Sequence, residues 1–310
     1  MGSKPSRSTK LSRSTELSRN IVGSARDDVE ITHEVLGPPS GEPILLIMGM
    51  GSQLIEWPDE FCADLVGRGF TVARFDNRDV GLSTHFTSYG VPNPVRLLLS
   101  AESVAAYRIG DMAADGIGVM DRIGWNSAHV VGVSMGGIVA AALAVARPDR
   151  VRSLTAISST PWWRIGRQPL STTIRAAIAY RRPMTSREQA GQRAVEMGRI
   201  LASPGYPFEE ALVRELGRRS YDRDRDVDGV QRQNAAVLAA RDLRGPLSRL
   251  RLPTLVLHGD ADVMIRPAGG AAFADAVPGA RLVVYPGMGH DLPRPLWTPI
   301  AAEIARVAGD

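Results

Sequence analysis

The sequence predicts an α/β protein, a mostly parallel, doubly wound sheet with a helical lid inserted between two strands. Three observations predict it. Short β-branched runs alternate with helix-length segments; one run passes through a Gly-rich turn directly into a helix; and residues 161–250 carry helical patterning without a convincing strand.

The elements follow in order. Residues 1–20 repeat a hexad, Ser6-Arg7-Ser8-Thr9-Lys10-Leu11 and then Ser12-Arg13-Ser14-Thr15-Glu16-Leu17. So few apolar groups cannot offset the entropy of ordering, which predicts a disordered basic tail. The body is expected over 21–160 and again over 251–310. Val29 to Val35 alternates apolar and polar, as a half-buried strand does, whereas Ile44 to Met48 is continuously apolar, as a buried parallel strand is. A helix from Glu56 to Gly67 and a strand from Thr71 to Phe75 come next. Asp111 to Ile123 reads as an amphipathic helix, Ala128 to Val133 as a strand, Met135 to Ala146 as a helix ended before Pro148, and Val151 to Ile157 as a strand. The segment 161–250, rich in Arg, Ala and Glu and broken at Pro183, Pro204 and Pro207, is expected to form a helical cap. The sheet resumes with Thr254 to His258, a helix from Pro267 to Ala276, a strand from Arg281 to Tyr285 and a last helix from Pro299 to Val307. A helical insertion between parallel strands lies beyond a strand end, over the face where such sheets bind ligands.

Composition excludes several classes. With 44% hydrophobic and 23% charged residues among 310, the chain lies outside the disordered regime. Cys62 is the one cysteine, so neither an intramolecular disulfide nor a Cys-based zinc site can form. The uncharged run from His129 to Ala146 is divided by a Gly-rich turn and reads as strand, turn and helix rather than a membrane span. No apolar signal region opens the sequence, and the expectation is a soluble, cytoplasmic protein. The net charge of +4 equals that of residues 1–20 alone; residues 161–250 hold 17 Arg against 10 acidic residues, so the rest of the body is acidic. Tail and cap are therefore the surfaces expected to make any peripheral membrane contact. Nucleic-acid binding is not expected, because basic charge is not clustered with stacking aromatics on the fold.

Gly132-Val133-Ser134-Met135-Gly136 has the form Gly-x-Ser-x-Gly between a strand and a helix. The glycines permit a tight turn that lifts the Ser134 hydroxyl out of the sheet, and the helix that follows aims its N-terminal amides at that spot. A serine hydroxyl needs a base, and the chain offers five histidines. His33 and His129 lie on strands, His85 lies in an early loop, and His258 ends a strand as a candidate core residue. His290, following the last strand in Gly287-Met288-Gly289-His290, is the candidate base. Asp260 and Asp262 both follow the strand ending at His258, and either could orient the imidazole.

These residues carry a resemblance. Ile47-Met48-Gly49-Met50-Gly51, Trp57-Pro58-Asp59-Glu60-Phe61, Phe75 to Ser83, Val131 to Gly137 and Pro286 to His290 resemble the α/β-hydrolase superfamily. Within it they are similar to the carboxylesterase and lipase group that includes aclacinomycin-type methylesterases. The resemblance covers the body and not the cap. It implies the α/β-hydrolase fold, selects Asp262 over Asp260 as the acid, and matches the oxyanion-hole amides to Met50 and Met135. Where the family commonly has His-Gly, this sequence has Met48-Gly49, which keeps a backbone donor but loses the side chain that would orient the loop.

The expectation is a serine hydrolase that cleaves carboxylic esters through an acyl-enzyme on Ser134, His290 and Asp262, with a small-molecule or lipid ester as substrate and no metal or organic cofactor implied. Thioesterase and cofactor-free perhydrolase chemistry share this machinery. A non-catalytic binding module would show a lost triad position, and none is lost. Trp162 and Trp163, at the start of the cap, are candidates for lining an acyl pocket or for packing a hinge. Asp76, Arg78 and Asp79 read as an ion-pair network holding the loops.

Overall fold

A buried parallel strand must have both faces covered, and the burial pattern here follows that rule from the first central strand outward. The computed structural model describes residues 29–180 and 184–309; the repeats of the tail and the break at Pro183 lie outside them. The order is β1 (His33–Leu36), β2 (Glu42–Ile47), α1 (Asp59–Gly67), β3 (Phe70–Phe75), α2 (Pro94–Leu99), α3 (Ala101–Val104), α4 (Ile109–Arg122), β4 (Ala128–Val133), α5 (Met135–Ala146) and β5 (Val151–Ile157). A helical insert follows, α6 (Leu170–Tyr180), α7 (Arg187–Leu201), α8 (Glu210–Arg223), α9 (Gly229–Leu238) and α10 (Arg244–Leu247). The chain then returns through β6 (Thr254–Gly259), α11 (Ala268–Ala276), β7 (Arg281–Tyr285) and α12 (Trp297–Gly309).

The strands form one sheet in the order β1-β3-β2-β4-β5-β6-β7. β1 runs antiparallel to β3, and the other pairings are parallel. The chain winds outward from β2 to β3 and then crosses to β4 on the other side, so the winding reverses between β2 and β4. A crevice opens beyond the strand ends at such a reversal.

Alternation along β2 builds both layers. Leu45 and Ile47 join Ala73, Phe75 and Val130 under α4 and α5. Ile44 and Leu46 join Val72, Val131 and Leu255 under α1 and α12. All four β2 side chains are fully buried, each contributing about 1.5–3 kcal/mol. Cys62 on α1 sits wholly inside the second layer, and burial pushes its thiol up to about 12 despite the nearby Arg74 guanidinium.

Most elements match the sequence reading within two or three residues. Two differences have physical reasons. The first strand is shorter than Val29 to Val35, because only His33 to Leu36 pairs with β3. The segment 90–104, for which the pattern gave no element, holds the short helices α2 and α3; α2 is started by Asn93, whose side chain accepts from the Val95 and Arg96 amides.

Candidate active site

β4 ends in a turn that forces its serine into an unusual backbone. Ser134 has φ 55° and ψ −119°, a region that costs roughly 1–3 kcal/mol for a side-chain-bearing residue. The surroundings hold it there: its amide donates to the Ile157 carbonyl at 2.9 Å, and its carbonyl accepts from the Gly137 amide at 3.0 Å and the Ser159 hydroxyl at 2.8 Å. The flanking glycines are required by contact. A Cβ on Gly132 would stand 2.1 Å from the Gly136 carbonyl oxygen, and one on Gly136 would stand 2.2 Å from that of Ile47.

Loops after β6 and β7 bring two more groups to this turn. His290 Nε2 lies 3.0 Å from Ser134 Oγ, and its Nδ1 lies 2.8 Å from Asp262 Oδ2. A carboxylate only accepts, so Nδ1 carries the proton and Nε2 faces the hydroxyl as an acceptor. The Asp262 side chain is fully buried. Its Oδ1 accepts from the Met264 and Ile265 amides at 2.8 and 2.9 Å, which fixes the carboxylate plane. Asp260, which follows the same strand, has a different partner: its Oδ1 accepts from the Gly287 amide at 2.7 Å and ties the two loops together.

The other candidates separate clearly. His258 Nε2 donates to the Ile265 carbonyl at 2.8 Å and lies 3.5 Å from Asp262; burial lowers its pKa, and its Nδ1 has no partner among the described residues. His129 Nδ1 is 2.8 Å from the Ser153 hydroxyl, and burial holds its pKa at about 4. Trp162 and Trp163 are half-buried, and the Arg164 guanidinium lies over both rings, 5.2 and 5.0 Å from their centroids. Among the described residues, neither tryptophan makes a hydrogen bond to Ser134, Asp262 or His290.

The loop after β2 passes beside the serine, close enough that a Cβ on Gly49 would stand 3.4 Å from Ser134 Cβ. Among the described residues, neither the Met50 nor the Met135 amide donates to a protein acceptor. Asn77 Nδ2 donates to the Met48 carbonyl at 3.0 Å, and the Gly51 amide donates to Gln233 Oε1 at 2.7 Å.

The insert touches every one of these loops. The His290 amide donates to the Leu201 carbonyl at 2.9 Å, the Gly289 amide to Ser203 Oγ at 2.7 Å, and the Gly205 amide to the Gly287 carbonyl at 2.9 Å. Ser203 also bonds Asp291. Behind the acid, the Arg266 amide donates to the Gly166 carbonyl at 2.8 Å, and Arg167 bridges Ile265. At the loop after β3, Asp76 pairs with Arg223, and Asp79 pairs with Arg232 at 2.8 Å. Arg78 instead turns inward to Asp115 at 2.6 Å. Burial raises the Asp76 pKa against Arg223 and two backbone amides. Asp79, His85 and Asp226 gather ligand-type atoms within 4.8 Å of one another, and Arg232 pairs with both acids of that cluster. Sequence reasoning missed Ser203, Arg223, Arg232 and Gln233, which lie in the region without a motif.

Comparison with known proteins bears on the family and the fold. A family model described as alpha/beta hydrolase fold matches residues 42–293. A rhodomycin D methylesterase of Streptomyces peucetius is 30% identical over 299 residues, covering 90% of this chain and 94% of that protein. Its counterpart from Streptomyces sp. strain C5 is 28% identical, covering 90% and 95%. The crystal structure of a hydrolase from Pseudomonas aeruginosa superposes with a TM-score of 0.70 at 24% identity, covering 96% of this chain and all of that one, a likeness of fold.

Proposed function

This chain belongs to the α/β-hydrolase fold family, and from that premise we propose that it hydrolyses carboxylic esters through Ser134, His290 and Asp262. The observation that carries the reading is the unbroken relay from Ser134 Oγ through both ring nitrogens of His290 to Asp262. In the first step the Ser134 oxygen attacks the ester carbonyl while its proton passes to His290 Nε2; the carbonyl electron pair becomes an oxyanion facing the Met50 and Met135 amides. Collapse expels the alcohol, which takes the proton from His290, and leaves an acyl-Ser134 ester. Water then attacks that ester by the same route, releasing the acid and restoring the serine. Asp262 holds the tautomer and stabilises the imidazolium.

Two relatives are methylesterases, and we extend their leaving group to this protein: a small alcohol, methanol first. The test is fluorophosphonate labelling with peptide mapping, followed by turnover of methyl, ethyl and butyl esters of one acid. Label on Ser134, lost in Ser134→Ala and His290→Ala, with methyl esters turned over fastest, is the expected result. Folded wild-type protein that takes no label overturns the assignment, and a preference for long alcohols overturns the methyl-ester extension.

A further inference from the structure

We propose that Gln233, a residue of the insert, is the positioning residue for the oxyanion loop at Met48 to Gly51; this inference rests on the esterase reading above. The candidate donor, the Met50 amide, lies between Gly49 and Gly51, and Gly51 has φ 73°. Glycine has more backbone freedom to lose than any other residue, so the direction of an amide between two glycines depends on what holds the ends of the segment. The family's usual histidine is absent here, with Met48 in its place. Two polar side chains grip the segment instead. Asn77, from the sheet edge, holds the Met48 carbonyl at 3.0 Å, and Gln233, from α9, accepts the Gly51 amide at 2.7 Å.

Gln233 is itself fixed on both sides. It is fully buried, and its Nε2 donates to the Arg78 carbonyl at 2.8 Å. Arg78 is immobilised in turn by its paired bonds to Asp115 at 2.6 and 2.7 Å. The preceding residue, Arg232, is locked to Asp79 and Asp226, which sets the register of α9 against the loop. The amide group of Gln233 thus has one acceptor role and one donor role, both satisfied, and the acceptor role falls on the residue next to Met50. Preorganised donors lower a barrier only when they already point at the developing charge, and displacement by about 1 Å can cost up to 10²-fold in rate.

The test compares Gln233→Met, which keeps length and removes both bonds, with Gln233→Glu, whose protonated carboxyl can accept from Gly51 and donate to Arg78. Turnover of a methyl ester is measured beside inhibition by a trifluoromethyl ketone, whose serine adduct carries an oxyanion. Gln233→Met is expected to lower kcat at least tenfold with KM within about twofold, and to weaken the ketone by the same factor. The activity ratio of Gln233→Glu to wild type is expected to rise as pH falls. Ketone affinity within twofold of wild type in Gln233→Met overturns the assignment, whatever happens to thermal stability; if that variant does not fold, a pH-independent ratio for Gln233→Glu overturns it. A wild-type protein that neither turns over esters nor binds the ketone overturns the esterase reading and this inference together, whereas an active wild type with an unaffected variant overturns this inference alone.

Discussion

Across the sheet the wholly buried side chains are Ile44, Leu45, Leu46 and Ile47 and their neighbours, whereas across the seam between sheet edge and insert they include Asp76, Asp79, Arg232 and Gln233. The first set is held by area removed from water, which is non-directional and forgiving of small shifts. The second is held by directed bonds in which each partner covers the desolvation cost of the other, so losing one member strands a buried charge. Apolar layers give stability; a polar seam fixes register. The side chains that seat the insert are the same ones that bear on the loops of the candidate site.

The largest expected effect falls where both regions meet the chemistry: Asp262→Asn removes the acceptor that holds the His290 tautomer and should lower kcat by about 10⁴, with fold retained by circular dichroism. A loss below tenfold would mean the carboxylate is not needed. Arg232→Ala leaves Asp79 buried without its partner and should destabilise by about 3–5 kcal/mol in denaturant titrations, while Arg187→Ala, at an exposed pair, should cost under about 1 kcal/mol. Equal costs would remove the distinction between seam and surface. Leu45→Ala, within the sheet layer, should cost about 2–5 kcal/mol and leave KM unchanged; a changed KM would show that the layers are not energetically separate from the site.

The smallest effect depends on pH. Burial disfavours a charged His85, but Asp224, Asp226 and the Gly81 carbonyl outweigh it and raise its pKa. Asp226 is 3.0 Å away on the insert. A raised folded value means that this pair contributes fully below the unfolded pKa of about 6.5 and loses its contribution as pH climbs through the folded value. His85→Asn should therefore be less stable than wild type by up to about 1 kcal/mol at pH 6 and equal to it at pH 9. A gap that widens with pH would reverse the assigned sign.

Much of the sheet was legible because its physics is periodic: β4, α5 and β5 fall where apolar runs and a Gly-rich turn placed them. Ser134 and His290 were legible because a motif needs its context and a base needs a loop at the right sheet edge. The choice of Asp262 over Asp260 came from family resemblance alone, since both follow the same strand and only the fold reveals which faces the imidazole and which ties Gly287. Gln233 and Ser203 left no trace in the pattern. A buried polar side chain in a helix or a loop looks like a solvated one until its partner, far off in the chain, is known. Leu99 errs in the other direction, as it ends an apolar run and yet is 80% exposed.

Cys62 gives this protein a built-in clock. The thiolate is the reactive form of cysteine, and a fully buried thiol with a pKa near 12 stays silent toward disulfide reagents at neutral pH. As the chain's one cysteine, it records each opening of the α1 and α12 layer as a single modified sulfur, with no background from elsewhere. Because it lies on α1, in the body and not in the insert, its labelling rate separates variants that loosen the seam from variants that unfold the body.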